Sequence, residues 1–131
     1  MIGLDTNVLV RYVAQDDPKQ SPRATELIES LTRDNPGFIS LVAIVELVWV
    51  MHGCYGASKV EVISVLEQLL RVNTIFVENA EIVLQAVHLY DKSDADFADC
   101  LIARSGSNAL CIHTITFDNK AAKIDGLLLL Q

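Results

Sequence analysis

The stretch MIGLDTNVLV, residues 1–10, decides the fold, because an apolar strand, an aspartate and the start of a helix follow one another without a loop. The strand predicted in MIGL ends at Asp5, and the helix predicted in VLVRYVA begins almost directly after it. Asp5 is therefore either the N-cap of that helix or a functional carboxylate at the tip of a core strand. The other acids of the chain bear on this choice.

The same order of strand and helix repeats along the chain. Further strands are predicted in FISL, TIFV, ALCIHTIT and LLLL, and helical patterns separate them. Because parallel neighbours are joined by right-handed helical crossovers, this order predicts an α/β sandwich with a mostly parallel sheet of four to five strands. We expect one domain over residues 1–131. The helix in VAIVELVWVMHGCYG is apolar nearly all round and is predicted to be buried, whereas the helix starts are predicted at three caps: Ser21, Asn79 and the capping box Ser58–Glu61.

Composition and charge narrow the possible functions. Hydrophobic residues make up 51% and aromatic residues 6% of the chain, which suits a parallel sheet covered by helices. The net charge of -7 argues against a protein that holds nucleic acid mainly through a basic surface. Any phosphate-bearing substrate would need further cations.

Cysteine usage and the apolar stretches indicate the compartment. The three cysteines lie in apolar stretches and are predicted to be buried thiols in a reducing environment: Cys54, Cys100 and Cys111. No signal peptide pattern precedes Asp5, and the longest apolar stretch carries Glu46 near its middle. We therefore predict a cytoplasmic protein without a membrane span.

Five acids are predicted to lie in one region. In open parallel sheets, ligands bind outside the carboxyl ends of the strands. Asp5 and Asp118 each follow a predicted strand, so both lie at the same edge if these strands are parallel. Glu46 lies in the helix after the second strand, and Asp96 and Asp99 share one face of another helix.

Each of these acids also has a structural explanation. Helix capping or turn formation would account for three of them: Asp5, Asp96 and Asp118. Glu46 lies among apolar residues and would have to be protonated, coordinated to a metal, or paired with a distant cation such as Arg11 or Arg104. Several carboxylates in one cleft repel each other, however, and a hard divalent cation removes that cost. Mg²⁺ is held by a few carboxylates and waters, so we predict an Mg²⁺ or Mn²⁺ site without histidine or thiol ligands.

Four motifs carry a resemblance to a known family. The opening hydrophobe-hydrophobe-Gly-Leu-Asp-Thr-Asn-Val-Leu, the helix with Glu46, ADFADCLIA and the TFD after the fourth strand resemble the PIN domain, in particular VapC-type ribonuclease toxins. This resemblance spans the whole chain. It implies a three-layer α/β/α sandwich and an endoribonuclease that hydrolyses RNA with water activated by Mg²⁺ or Mn²⁺. It also implies a small antitoxin as a protein partner, and a homodimer.

The resemblance further implies residue roles. The family's acidic positions correspond to Asp5, Glu46, Asp99 and Asp118, which would be catalytic. The metal ligands would be Asp5, Asp99 and, as a ligand or a support, Asp96. The supporting polar residues would be Thr6, Asn7, Ser40 and Thr116. The cations predicted to contact substrate are Arg11, Lys59, Arg104 and Lys120, for which a solvent-facing helix surface is the alternative.

Other classes fit the pattern less well. A phosphoacceptor receiver domain needs an aspartate after its third strand, where this chain has Glu78. A phosphatase of the haloacid dehalogenase kind needs a second aspartate where this chain has Asn7. The alternative that stays open is a non-catalytic RNA-binding or scaffold protein of the same fold, which we would expect to lack some of the acids.

Overall fold

The computed structural model describes residues 1–131 and contains six α-helices, five short strands and one 3-10 helix, at Ala121–Lys123. The helices are α1 (Thr6–Ala14), α2 (Gln20–Ser30), α3 (Leu41–Tyr55), α4 (Lys59–Arg71), α5 (Ala80–Lys92) and α6 (Phe97–Asn108). The strands are β1 (Ile2–Gly3), β2 (Gly37–Ile39), β3 (Ile75–Val77), β4 (Thr114–Thr116) and β5 (Leu127–Leu129). Two units, which we call the first unit (Met1–Glu78) and the second unit (Asn79–Gln131), are each compact.

The first unit is built on a parallel three-stranded sheet with the order β1-β2-β3. Gly37 of β2 pairs with Ile2 on one side and with Ile75 on the other. Helices α1 and α2 connect β1 to β2, and α3 and α4 connect β2 to β3. The largest buried side chains of this unit come from these helices and from β2: Leu9, Ile39, Ile44, Leu47, Val62 and Leu66. The predicted α/β class with parallel strands is confirmed.

The second unit contains α5, α6 and the parallel pair β4-β5, in which Thr114 lies opposite Leu127. Its interior includes Phe97 of α6, whose ring packs nearly perpendicular to that of Tyr90 with centroids 5.8 Å apart. The strand count of five agrees with the prediction, although the hydrogen-bonded ladders join the strands as three and two. Each of these strands is only two or three residues long.

The start of α2 differs from the prediction that Ser21 caps it. The helix begins at Gln20, because the Asp17 carboxylate accepts hydrogen bonds from the backbone N–H groups of Lys19 (2.9 Å) and Gln20 (2.7 Å). Ser21 is buried, and its hydroxyl accepts from the N–H of Asp17 instead. Asn79 does occupy the N-cap position of α5, but its side chain makes no capping hydrogen bond.

Helix α3 is not buried all round, as its sequence had predicted. Val42 is 69% and Trp49 64% exposed, and Glu46 lies between them on the same exposed stripe. The opposite face packs inward, through Ile44, Leu47, Val48 and Met51. Because Val42 and Trp49 on the exposed face are apolar too, the sequence pattern does not distinguish the exposed face from the buried one. None of the helices combines the length and the apolar character that crossing a membrane requires.

Strand β4 is shorter than the predicted stretch ALCIHTIT. After α6 the chain turns at Leu110, which has a φ of 69° and is 90% exposed, and β4 begins only at Thr114. The turn leaves Cys111 exposed, and Cys54 is exposed near the end of α3. The prediction of buried cysteines is therefore correct for Cys100 and wrong for the other two.

Candidate active site

Asp5 lies between β1 and α1 in the first unit. Its backbone carbonyl accepts hydrogen bonds from the N–H groups of Val8 and Leu9, so the residue is the N-cap of α1 by position. Its exposed side chain makes no capping hydrogen bond. Capping therefore explains the backbone of Asp5 but leaves its carboxylate available for another role.

Thr6 and Glu46 form the central polar contact of the first unit. Thr6 is buried at the first position of α1, and its hydroxyl donates a hydrogen bond of 2.7 Å to Oε1 of Glu46 on α3. Glu46 is exposed, so water solvates it and no cationic partner is required. The two arginines considered as partners pair with other acids, Arg11 with Asp16 and Arg104 with Asp125.

The start of α3 is held by two side chains. The Ser40 hydroxyl accepts from the N–H of Ala43 at 3.1 Å, as an N-cap. Glu78, which follows β3, accepts from the N–H of Leu41 at 2.8 Å. Sequence reasoning missed this role of Glu78, although its place directly after a predicted strand was the same signal that singled out Asp5. Together these contacts fix the helix that carries Glu46.

Three acids interact in the second unit. Asp96 is the N-cap of α6, where its Oδ1 accepts from the N–H of Asp99 at 2.8 Å. Partial burial raises the pKa of Asp99 above its ordinary value, and the negative charges of Asp96 and Asp118 and a hydrogen bond with Asp96 raise it further. The charged form of Asp99 is thus disfavoured unless a cation is close.

Asp118 forms the turn after β4. Its Oδ1 accepts from the N–H groups of Lys120 (2.8 Å) and Ala121 (3.3 Å), at the start of the 3-10 helix. The Thr116 hydroxyl accepts from the N–H of Asp118 at 3.0 Å. These bonds fix the loop around Asp118 and use one of its two carboxylate oxygens.

The donor chemistry of the candidate acids suits a hard divalent cation. None of them forms a salt bridge: Asp5, Glu46, Asp96, Asp99 and Asp118. No three His, Cys, Asp or Glu side chains are arranged as a complete ligand cage. Mg²⁺, however, is commonly bound through one or two carboxylates with waters completing its shell. Such an ion would bind the unpaired carboxylate oxygens. It would also offset the burial and the negative charges that raise the pKa of Asp99.

The four predicted substrate cations have different surroundings. Arg104 is held within the second unit, where its Nη2 donates to the backbone carbonyl of Asp125 at 3.0 Å. Lys120 is exposed beside Asp118, and Lys59 is half-buried at the start of α4. Arg11 is held by Gln20 on α2. Asn7 is exposed in the first turn of α1 and lines a cavity with Arg11.

Comparisons with known proteins identify the family of the chain. The model of the PIN domain family matches residues 2–127, so the chain belongs to the PIN domain family and the resemblance is confirmed. A VapC ribonuclease of Aquifex aeolicus (strain VF5) is 23% identical over 121 residues, which cover 92% of this chain and 90% of that protein.

Two solved structures are similar over nearly the full chain. Mycobacterium tuberculosis VapC20, a sarcin-ricin loop cleaving toxin, has a TM-score of 0.48 at 16% identity and is matched over 93% of both chains. A chain of a toxin-antitoxin complex from Klebsiella pneumoniae has a TM-score of 0.36 at 18% identity, over 98% of this chain and 96% of that one.

Proposed function

We propose that this protein is a divalent-metal-dependent endoribonuclease, and that it is the toxin of a type II toxin–antitoxin pair. The observation that carries the proposal is the PIN domain match over residues 2–127, in a chain whose candidate acids have no salt-bridge partners. The similarity to a VapC ribonuclease supports RNA as the substrate. The PIN match runs through both units, which supports treating residues 1–131 as one functional domain.

The proposal assigns a role to each candidate residue. Asp5 and Asp99 are metal ligands, supported by Asp96, while Glu46 and Asp118 are the other catalytic acids. When bound, Mg²⁺ or Mn²⁺ would lower the pKa of an attacking water and offset the charge of the phosphodiester. Positioning falls to three hydroxyl side chains, which hold an acid, its helix or its loop: Thr6, Ser40 and Thr116. Asn7, two residues after Asp5, has the same supporting role in this proposal.

The proposal extends to partners. The substrate-contacting cations are Arg11, Lys59, Arg104 and Lys120. A small antitoxin would place Arg or Lys side chains on the acids, because opposite charges steer and hold partners in an interface. A homodimer and a cytoplasmic location are part of the same proposal, and the net charge of -7 favours a basic partner segment.

Cleavage of a mixed RNA pool tests the function. Wild type is assayed with Mg²⁺, with Mn²⁺ and with EDTA, alongside Asp5→Asn and Asp99→Asn. Asp34→Asn is the matched control, since Asp34 is exposed in a loop of the first unit. We expect cutting only with metal, and a loss of at least about 100-fold in both site variants, because even the residues that orient metal ligands typically contribute about 10- to 100-fold.

Two results would contradict the nuclease assignment, provided that circular dichroism shows folded protein. If wild type binds RNA but never cuts it with either metal, the non-catalytic RNA-binding alternative replaces the proposal. If Asp5→Asn and Asp99→Asn cut as fast as Asp34→Asn, these acids are not the metal ligands.

A further inference from the structure

Helices α1 and α2 line an open cavity of about 320 Å³, whose wall contains two arginines and no acid. Arg11 comes from α1, four residues after Asn7, and Arg23 comes from α2, three residues after Gln20. Side chains at these spacings share one face of a helix. The remaining lining residues are apolar: Val8, Ala24 and Leu27. The cavity thus joins two guanidinium groups and two side-chain amides.

Arg11 is fixed in place before any ligand binds. Its Nε donates to Oε1 of Gln20 at 2.9 Å, and its Nη1 lies 3.4 Å from Oδ1 of Asp16 and 3.5 Å from the Tyr55 hydroxyl. Tyr55 itself donates to Oδ2 of Asp16 at 2.8 Å, so Asp16 is shared between two donors. A side chain that is already ordered loses less conformational entropy when a ligand arrives.

Arg23 adds a charge that the protein does not neutralise. It is exposed and takes part in none of the salt bridges. Glu26, three residues after Arg23 on α2, does not line the cavity and forms no salt bridge with Arg23. Asp17 is engaged by the N–H groups of Lys19 and Gln20. Because Asp16 pairs with Arg11, the unpaired positive charge at this acid-free cavity is that of Arg23, in a chain whose net charge is -7.

The cavity lies beside the residues that follow Asp5. A second cavity of about 420 Å³ also has Asn7, Arg11 and Gln20 in its wall and extends to Thr6, the hydrogen-bond donor to Glu46. The helical rise places Arg11 about 9 Å along α1 from Asp5. An RNA strand with its scissile phosphate near Asp5 would therefore bring a neighbouring phosphate towards Arg11.

We propose that Arg11 and Arg23 bind a non-scissile phosphate of the RNA strand in the cavity between α1 and α2, with Asn7 and Gln20 lining the site. Guanidinium groups bind phosphate through paired N–H donors, which a lysine does not reproduce. This inference rests on the proposed function for the identity of the ligand. It adds Arg23, which sequence reasoning did not single out, and makes these two arginines determinants of substrate affinity.

Binding measured without cleavage tests the inference. A single-stranded 2′-O-methyl RNA, which lacks the free 2′ hydroxyl, is titrated in EDTA at several salt concentrations against wild type, Arg11→Gln and Arg23→Gln. Arg33→Gln is the matched control, because Arg33 is an exposed arginine of the same unit outside the cavity. We expect each cavity variant to bind about 10-fold more weakly. The slope of log affinity against log salt should fall by about 0.7 for each lost phosphate contact.

A second Arg11 variant separates charge from geometry. Arg11→Lys keeps the charge and should keep the salt slope, but it should lose affinity because the paired donors are gone. If Arg11→Gln and Arg23→Gln bind RNA like Arg33→Gln, the inference is wrong. If they bind RNA normally but lose binding to poly-glutamate, the cavity receives an acidic protein segment and the inference is again wrong.

The cleavage assay distinguishes this inference from the proposed function. If wild type never cuts RNA but both cavity variants weaken RNA binding, the nuclease assignment fails and the phosphate site stands. If wild type cuts RNA and the cavity variants bind and cut as it does, the nuclease assignment stands and the phosphate site fails.

Discussion

Thr6 is a buried residue whose hydroxyl donates a hydrogen bond to the exposed carboxylate of Glu46. Thr6→Val keeps the shape but removes the 2.7 Å hydrogen bond to Glu46, which water can then solvate. We therefore expect the free energy of unfolding to change by no more than about 1 kcal/mol. RNA cleavage should fall about 10-fold, because Glu46 loses the contact that orients it.

Thr6→Ser is the matched control for this prediction. It keeps the hydroxyl but removes a buried methyl group, so it should lower the melting temperature while cleavage stays near wild type. Opposite effects of the two variants on stability and on cleavage would identify Thr6 as a positioning residue. If wild type and Thr6→Val cleave RNA equally fast, cleavage does not depend on the orientation of Glu46 by Thr6.

Asp99 should destabilise the metal-free protein at neutral pH. Its pKa is raised in the folded state by burial and by Asp96 and Asp118, so the folded protein releases the proton at higher pH than the unfolded chain does. Stability therefore falls as the pH rises from the ordinary carboxyl value through the raised pKa. In EDTA at pH 7, Asp99→Asn should melt at a higher temperature than wild type.

The difference between wild type and Asp99→Asn should disappear in acid, where Asp99 is protonated in both states. Asp94→Asn is the control, since Asp94 is exposed in the loop before α6. Thermal unfolding in EDTA from pH 3 to pH 7 measures all three proteins. A lower melting temperature for Asp99→Asn at pH 7 would show that the carboxylate is compensated without metal.

The N-terminus of α4 should make its own contribution to the pH dependence of stability. Glu61 accepts from the N–H of Ser58 at 2.9 Å, and this backbone hydrogen bond, followed by the Ser58 hydroxyl, lowers the pKa of Glu61. A lowered folded pKa gives stability that is present above the ordinary glutamate pKa and is lost as the pH falls through the folded value. Wild type should therefore be more stable than Glu61→Gln at pH 7.

Urea unfolding from pH 7 to pH 3 measures this effect. Glutamine can retain the hydrogen bond of the capping box but carries no charge at the positive end of the helix. The two proteins should converge as the pH falls through the folded pKa of Glu61, which lies below the ordinary glutamate value. A difference that is constant across this range would mean that the charge of Glu61 does not stabilise α4.

The packing of α6 against β4 should require glycine at position 106, inside α6. A Cβ on Gly106 would collide with Oγ1 of Thr114. Gly106→Ala should therefore destabilise the protein, although alanine is favoured over glycine in a helix by about 1 kcal/mol. In a Thr114→Ala background the obstacle is gone, and the same substitution should stabilise. Urea unfolding of the four proteins of this cycle gives the coupling, which we expect at about 1–3 kcal/mol.

Local sequence signals predicted some helix ends and missed others for physical reasons. The capping box Ser58–Glu61 was predicted correctly, because both partners lie within one turn and no rival cap is near. The start of α2 was wrong because Asp17 and Ser21 are both good caps, and only the fold decides which one the backbone N–H groups meet. The length of β4 was wrong because the turn at Leu110 consists of apolar residues.

For the molecule as a whole, sequence predicted where the acids stand but not their surroundings. Strand tips and helix starts follow from periodicity, so Asp5 and Asp99 could be located from the sequence. The exposure of Glu46 could not, since a helix apolar on every side does not show which face is outward. The cavity between α1 and α2 was equally hidden, because Arg11 and Arg23 line one cavity only through the packing of α1 on α2.

Metal binding should stabilise the whole protein. A ligand that binds only the folded state adds about 2.7 kcal/mol at a concentration 100 times its Kd, which corresponds to roughly 10 °C in melting temperature for a chain of this size. Wild type should therefore melt at a higher temperature in Mn²⁺ or Mg²⁺ than in EDTA. Asp5→Asn and Asp99→Asn should each lose most of this shift, whereas Asp34→Asn should keep it. If the melting temperature rises equally in all four proteins, the ion binds without the carboxylates of Asp5 and Asp99, and these two residues are not its ligands.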